Sequence, residues 1–319
     1  MSQPFLLIGV CTRGRPELLE RLLRSLAANK LPETHKAALL VVDNNPTPTV
    51  ERGYVEQLTG FSVHVVHQPK AGLVNARNAL FDAAETLGAD WLIGIDDDEW
   101  VAPDWLVQWC RGIATGASQI LVGRAELIHE DGGNIFRARR QFRDVTAGVP
   151  SRLFGTCNYA VGKSVFSTVE GLGLRFDGRF NTSGGEDAEL MLRAKRKHNV
   201  VPYGWPYALA FEERTGPRAH LRYALRRSMQ DRIVALKIAR LHREMGLVRG
   251  HILLLAAKRT SDSLIFGCGR LALGIIRLPL GRQRFGQDVG LALEHFARVL
   301  AVIPFLAGKD TVTYGPTGV

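Results

Sequence analysis

The chain has 319 residues, 46% of them apolar and 23% charged, and a net charge of +10. That composition excludes a disordered or fibrous chain and allows one large globular core with an appendage. Four scattered cysteines with no CxxC spacing argue against a zinc or disulfide framework and for a reducing compartment.

The charge is unevenly placed. From Arg214 to Arg284 there are 16 Lys or Arg and 3 Asp or Glu, whereas the remainder holds 25 basic and 28 acidic residues. Such a basic block calls for an anionic partner: phospholipid, nucleic acid or a phosphorylated acceptor. At the other end, MSQPFLLIGVCTRGRP has neither a basic n-region nor a small-residue cleavage site. Its apolar run reads as a first strand rather than a signal peptide.

Phe5 to Cys11 is that strand, and Thr12-Arg13-Gly14-Arg15 is a polar turn after it. Pro16 suits the first turn of a helix, and Leu19, Leu22, Leu23 and Leu26 mark its inner face. Leu39 to Val42 reads as a second strand ending in Asp43-Asn44-Asn45, and Val63 to Val66 as a third. Gly72 opens a helix with a stripe of Leu73, Ala76, Leu80, Ala83, Ala84 and Leu87. At 3.6 residues per turn, Asn75 and Asn78 point away from that stripe and Arg77 flanks it.

The run Trp91 to Ile95 is a fourth strand, and it ends abruptly in Asp96, Asp97, Asp98 and Glu99. Strands alternating with helices of this length predict βαβ units and a mostly parallel sheet. Ligands collect at the carboxyl ends of such strands. Four adjacent acids repel one another unless a cation neutralises them, and hard ions such as Mg²⁺ or Mn²⁺ take carboxylate oxygens together with phosphate. The run therefore reads as a metal–diphosphate site, against the plainer reading of a solvated acidic turn. Neither GxGxxG after the first strand nor GxxxxGK[ST] is present.

Pro103 to Ala114 follows as a helix and Gln119 to Leu127 as a strand. Residues 130–150, with Gly132, Gly133 and several arginines, read as a mobile loop or flap, and Gly155 to Val161 as another strand. Ser183-Gly184-Gly185 leads into Glu186-Asp187 and a helix with Ala188, Met191 and Leu192 on one side. Both acids occupy the first turn, where the dipole and unpaired N–H groups favour negative charge. Dipole-matching surface acids are the plainer reading of that pair.

Past Pro202 the composition shifts. Pro217 to Met245 is an Arg-rich helical pattern with a drifting stripe. Two apolar stretches follow. Leu264 to Leu280 is interrupted by Arg270 and Arg277, and Val289 to Leu306 by Glu294, His295, Arg298 and Pro304. Each charge near a bilayer centre costs about 2.5–3.5 kcal/mol, so helices lying on a membrane fit better than spans. Packing of the same helices on the rest of the protein is the competing reading.

Five features in this order, CTRGRP, VVDNN, KAGLVNARN, IDDDEW and GGED, resemble the family 2 glycosyltransferases over about residues 5–215. The nearest flavour is the bacterial exopolysaccharide type. The resemblance implies an inverting enzyme of the GT-A fold, an α/β Rossmann-like, mostly parallel sheet flanked by helices. Residues 1–215 would form the catalytic domain and residues 216–319 a helical, basic extension. It implies a nucleotide-diphosphate sugar donor, a UDP-sugar by preference, and a divalent metal, Mn²⁺ or Mg²⁺. It places Thr12, Arg13, Asp43, Asn75, Arg77, Asn78, Asp96 and Asp97 around the nucleotide sugar, with Asp98 and Asp96 toward the metal. Asp187 matches the general base, with Glu186 beside it. The QxxRW motif of processive synthases is missing, which points to one sugar per encounter. The implied acceptor is lipid-linked or glycan. The basic segment and the interrupted apolar stretches together predict a protein that meets it at an anionic membrane surface, peripheral to the cytoplasmic face of a bacterial inner membrane. No nucleic-acid motif appears. The rivals are a sugar nucleotidyltransferase, whose triphosphate loop is expected to be richer in glycine than Thr12–Arg15, and a non-catalytic basic binding protein.

Overall fold

Four apolar runs pair in parallel. They are β1 (Phe5–Thr12), β2 (Lys36–Asp43), β3 (Ser62–His67) and β4 (Trp91–Asp96). The structure is a computed structural model that describes residues 3–129, 145–151, 157–214, 220–249 and 251–308. The expected flap of residues 130–150 lies outside the described residues up to 144. The register sets Thr12 opposite Asp43 and Cys11 opposite Asp96. The carboxyl ends of three adjacent strands therefore carry residues singled out in the sequence.

Among the described residues the sheet has eight strands in the order β3-β2-β1-β4-β7-β6-β8-β5. The second half is built from β5 (Glu99–Val101), β6 (Ile120–His129), β7 (Asn158–Gly162) and β8 (Tyr203–Arg214). Strand β7 runs antiparallel to β4 and β6, and β5 antiparallel to β8. The sheet is thus mixed, with its parallel half leading to the acids. β5 and β8 leave little trace in the sequence. β5 is only three residues long, and β8 contains Pro206, which removes a ladder donor. The pairing of β5 reaches only Ala210 to Glu212, so Pro206 lies clear of that ladder.

Alternate residues of each strand feed two cores. On one face Leu6, Ile8, Val10, Leu39, Val41, Ile93 and Ile95 meet α1 (Pro16–Ala27), α2 (Arg52–Thr59) and α4 (Trp105–Ala114). Trp105 and Trp109 are fully buried there, edge to face. On the other face Leu7, Leu40, Val42 and Leu92 meet α3 (Leu73–Thr86), α5 (Lys163–Phe166) and α6 (Glu186–His198). The expected stripe of α1 is the one observed. That of α3 is turned by one residue: Val74, Arg77 and Phe81 are buried and Leu73 is exposed. The cause is a second layer. Phe81 packs against Phe166 and Phe176, so α3 is covered on its far side as well as on the sheet. In α6 the buried apolar side chains are Leu190, Met191 and Ala194, so Leu192 faces outward of the expected position.

The described residues fall into two compact units. One comprises Met1–Leu127, Phe142–Asn181 and Glu186–Glu213, and the other Ile128–Gln141, Thr182–Gly185 and Arg214–Val319. The second contains α7 (Leu221–Glu244), α8 (Ile252–Arg277), α9 (Arg282–Leu300) and α10 (Val302–Leu306). Its core is small, with Ile233, Leu236, Ala256, Ala301 and Phe305 fully or almost fully buried. Gln230 of α7 donates to the Ser183 carbonyl at 2.7 Å, and Lys237 Nζ reaches Ser183 Oγ at 3.2 Å. Gly185 has φ of 86°, a left-handed conformation, and a Cβ there would run into Val234. Helix α7 thus holds the short segment that precedes Glu186-Asp187. The stretch Arg284–Leu306 is long and apolar enough to cross a membrane by length and composition, with a third of it buried.

One close approach tests the sheet. A Cβ on Gly94 of β4 would enter the ring of Tyr159 on β7, its register partner. Gly94→Ala should cost about 1–3 kcal/mol by overpacking. Urea denaturation checks this, and the double variant Gly94→Ala with Tyr159→Leu should recover part of the loss.

Candidate active site

The site is built at the carboxyl ends of β1, β2 and β4 and at the start of α6. Thr12, at the end of β1, donates from Oγ1 to Asp97 Oδ2 at 2.9 Å. Arg15 follows in the turn, and its Nη1 lies 3.3 Å from both Asp97 Oδ1 and Asp98 Oδ2. Arg13 turns the other way and donates to the Asn44 carbonyl at 3.0 Å. Arg21 on α1 donates to the Asp98 carbonyl at 2.9 Å. The acids are therefore held by the turn and helix that follow β1, rather than left as a solvated string. Glu99 belongs to β5 and is buried there.

The carboxylates crowd one another. Burial pushes Asp96 up to about 7, with Arg77 pulling it down and Asp98 and Asp97 adding to the rise. Burial and then the charge of Asp98 push Asp97 up to about 6, against Arg15. Among the described residues no three His, Cys, Asp or Glu converge as a closed metal cage. What is present is a set of hard carboxylate oxygens at a strand end, with the Asp96 side chain 36% and the Asp98 side chain 17% exposed. That fits a divalent ion held through one or two carboxylates, with its other positions left to phosphate and water.

Arg77 joins the two acidic motifs. Its side chain is 7% exposed; Nη1 is ion-paired with Glu186 Oε1, and Nη2 lies 3.3 Å from Asp96 Oδ1. Burial opposes its charge, but Glu186, Asp96 and Asp187 hold the guanidinium ionised. Glu186 and Asp187 are thereby separated in role. Glu186 is buried on Arg77, whereas Asp187 is half-buried and accepts the Ala188 N–H at 2.7 Å.

Asp43 and the two asparagines of α3 have different surroundings. Asp43 is wholly buried, and its two oxygens accept from Asn45, Thr49 and Val50. Burial alone would raise its carboxyl; those hydrogen bonds hold it below the usual range. Asn78 makes a two-way amide pair with the backbone of Phe176, at 3.0 and 2.8 Å. Asn75 is half-exposed and donates to the Ala71 carbonyl at 2.9 Å. Thr12, Arg77, Asp96, Asp97, Asp98 and Glu186 are thus brought together with Asp187, while Asp43 and Asn78 organise neighbouring backbone.

Three residues outside the expected set shape the site. Arg15 is the counter-ion of Asp97 and Asp98. Asn44 donates to the Gln68 and Lys70 carbonyls and accepts from Gly72 N–H. Asn181 accepts from Val74 N–H and donates to Ala71, closing over Gly72, whose φ of 123° and lack of a Cβ make room for it. Arg15 stands in the same CTRGRP stretch as Arg13, which was a usable signal. Nothing in the local pattern marks Asn44 or Asn181 as clamps.

Removing Arg77 would leave Glu186 buried and uncompensated. Arg77→Leu should therefore cost about 3–5 kcal/mol in urea denaturation. Arg77→Leu with Glu186→Gln should recover much of it, because the orphaned charge is gone. A purely substrate-binding arginine would change stability little.

Residues 7–167 match Glycosyl transferase family 2. Succinoglycan biosynthesis protein ExoM of Rhizobium meliloti (strain 1021) is 31% identical over 230 residues, 70% of this chain and 72% of that protein. The mannosyltransferase PcManGT from Pyrobaculum calidifontis, solved with GDP-Man and Mn²⁺, superposes with a TM-score of 0.57 at 17% identity. That match covers 97% of this chain and 89% of PcManGT. S. aureus TarS gives a TM-score of 0.50 at 14% identity over 92% of this chain, which spans 55% of TarS. At such identities the two structures speak for the fold alone. On the family match and the ExoM relationship, this chain belongs to glycosyl transferase family 2, and it is a glycosyltransferase.

Proposed function

We propose that this glycosyltransferase transfers one sugar, with inversion, from a nucleotide-diphosphate donor to a hydroxyl of a lipid-linked or glycan acceptor in exopolysaccharide synthesis. A UDP-sugar is the donor of this reading. The observation that carries it is the Arg77 bridge, because one buried cation ties the start of the acidic helix to the end of the acidic strand. A base and a leaving-group site are thereby neighbours, as a single displacement requires. The relationship to a succinoglycan biosynthesis protein supports the polysaccharide role.

Residues 1–215 carry the chemistry in this reading. Thr12, Arg13 and Asn75 would receive the nucleotide, Thr12 from its buried place beside Asp97. Asp43, Arg77, Asn78 and Asp97 act on it through the backbone and carboxylates they hold in place. Asp96 and Asp98 would hold a divalent ion, Mn²⁺ or Mg²⁺, which supplies positive charge against the departing diphosphate. Arg15 shares those carboxylates and adds a second cation beside them.

Asp187 is the general base. It takes the acceptor proton as the hydroxyl oxygen bonds to the anomeric carbon, from the face opposite the diphosphate. The alcohol becomes acidic only as that bond forms, so the carboxylate need only be ionised and within hydrogen-bond reach. Glu186 does not compete for the task, because it is buried against Arg77. Residues 216–319 form the basic helical part, which we place on the cytoplasmic face of a bacterial inner membrane, as a peripheral attachment.

Two variants test the assignment. Asp187→Asn should lower kcat by about 10²–10⁴-fold while nucleotide-sugar affinity stays near normal, as expected of a transition-state role. Equal losses in binding and turnover would assign Asp187 to substrate binding instead. Asp98→Asn should keep the fold and abolish Mn²⁺-dependent nucleotide binding and transfer; full activity in EDTA would refute the metal assignment.

The raised carboxyls add a pH dependence. Of the two carboxylates that would hold the ion, Asp96, pushed up to about 7, takes up a proton as the pH falls, and a cation must displace it. Mn²⁺ affinity, read by calorimetry, should therefore weaken as pH falls from 7.5 to 5.5, by about tenfold or more. An affinity flat across that range would exclude Asp96 as a ligand.

A further inference from the structure

We infer that the outer face of α8, between Leu254 and Ile276, is a docking surface for an anionic lipid bilayer. The inference sharpens the membrane placement above and rests on that reading for its biological setting. The surface itself is read from the second unit alone.

The arginines that interrupt this apolar stretch in the sequence do not interrupt it in space. Arg270 Nη1 pairs with Asp288 Oδ1 at 3.0 Å, and Arg277 Nη1 with Asp288 Oδ2 at 3.2 Å, so both turn toward α9. Asp288 is buried, with 3% exposure. On the opposite side, Leu254, Ile265, Ala272 and Ile276 fall within about 40° of one another around the helix, with Leu264 and Ile275 flanking them. Leu254 is 71%, Ile265 66% and Ile276 72% exposed, values far outside those of a packed helix. From Leu264 to Ile276 this outer face carries no charged residue. Nearer its start, exposed Lys258 stands on the same face and exposed Asp262 at its edge, and exposed Arg284 follows past the helix end.

Charge complementarity selects the occupant. The face sits in the Arg214–Arg284 segment, which holds 16 basic and 3 acidic residues. A second copy of this chain would bring the same positive charge, whereas phosphatidylglycerol headgroups bring the opposite one. An apolar stripe with a basic surround is the pattern of a helix lying in the interface, with lysine and arginine stems reaching up to the phosphates. From Leu254 to Ile276 the face runs about 33 Å along the helix, but it occupies one side only, with Arg270 and Arg277 on the other, which suits a helix lying in the interface rather than one crossing it.

Flotation of the full-length protein tests this. The protein should rise with phosphatidylglycerol-containing vesicles at least tenfold more than with neutral phosphatidylcholine vesicles, and 0.5 M salt should weaken the effect without abolishing it. Ile265→Asn with Ile276→Asn should reduce flotation at least tenfold. Its melting temperature and its UDP release from a UDP-sugar in detergent should match wild type, because both side chains are already exposed and lie outside the catalytic set. Wild-type flotation of the double variant, or indifference of the wild type to anionic vesicles, would overturn the docking surface. So would a stable dimer in sedimentation that the double variant breaks, which would give the face to a second copy. The donor reading fails separately, by absence of UDP release in wild type and variant alike.

Discussion

A buried guanidinium is the constraint on which the catalytic end depends. Arg77 has left water, and the charge on nearby carboxylates, with the Phe176 ring beneath the guanidinium, makes that tolerable. Its two partners, Glu186 and Asp96, come from elements 90 residues apart in the chain. Their geometry is therefore coupled to the packing of α3, which must present residue 77 inward to both. This explains why α3 buries an arginine on a face otherwise made of Val74, Ala76, Leu80, Phe81 and Ala84. It also explains the unequal fates of two adjacent acids. Glu186 is taken up by the buried ion pair, and Asp187 stays half-buried beside it.

Around that ion pair the pocket is shaped by side chains that bind backbone. Asp43 folds the segment from Asn45 to Val50 around itself, Asn44 ties down Gly72 and the chain before it, and Asn181 closes over Gly72. Each satisfies buried N–H or carbonyl groups that a loop would otherwise leave unpaired. The outcome is a set of turns at fixed positions beside the carboxyl ends of β1 and β2. Preorganised loops of this sort suit a reaction in which most of the catalysis comes from placing charge.

The second unit solves a different problem with the same chemistry. α8 and α9 carry charges inside an apolar sequence, and they pair those charges with one another. Asp288 takes two arginines, while Glu294 accepts from Ser228 and lies near Arg298. With Asp288 and Glu294 paired inside the unit, apolar residues of α8 are left facing out. Net charge and apolar exposure therefore occur together in this unit. Family membership sets aside the reading of the basic block as the whole function.

The sequence by itself determined the parallel half of the sheet, the acids at its carboxyl edge and the family. Those signals are local: an apolar run, a turn residue and a short motif each declare themselves within a few positions. It did not reveal β8, because Pro206 and a three-residue partner strand erase the period-2 signal. Nor did it separate Glu186 from Asp187, or show Arg77 as the link between two motifs. Both depend on which side chain reaches a partner from another element. Helical periodicity places Asn78 off the core stripe, yet only the packed structure gives it the Phe176 backbone as partner. The same limit applies to α8. Counting Arg270 and Arg277 makes the stretch look broken, and only their pairing with Asp288 shows an unbroken apolar face. Local pattern determines what a segment can be; three-dimensional neighbours decide which of its polar groups are spent and which are left to act.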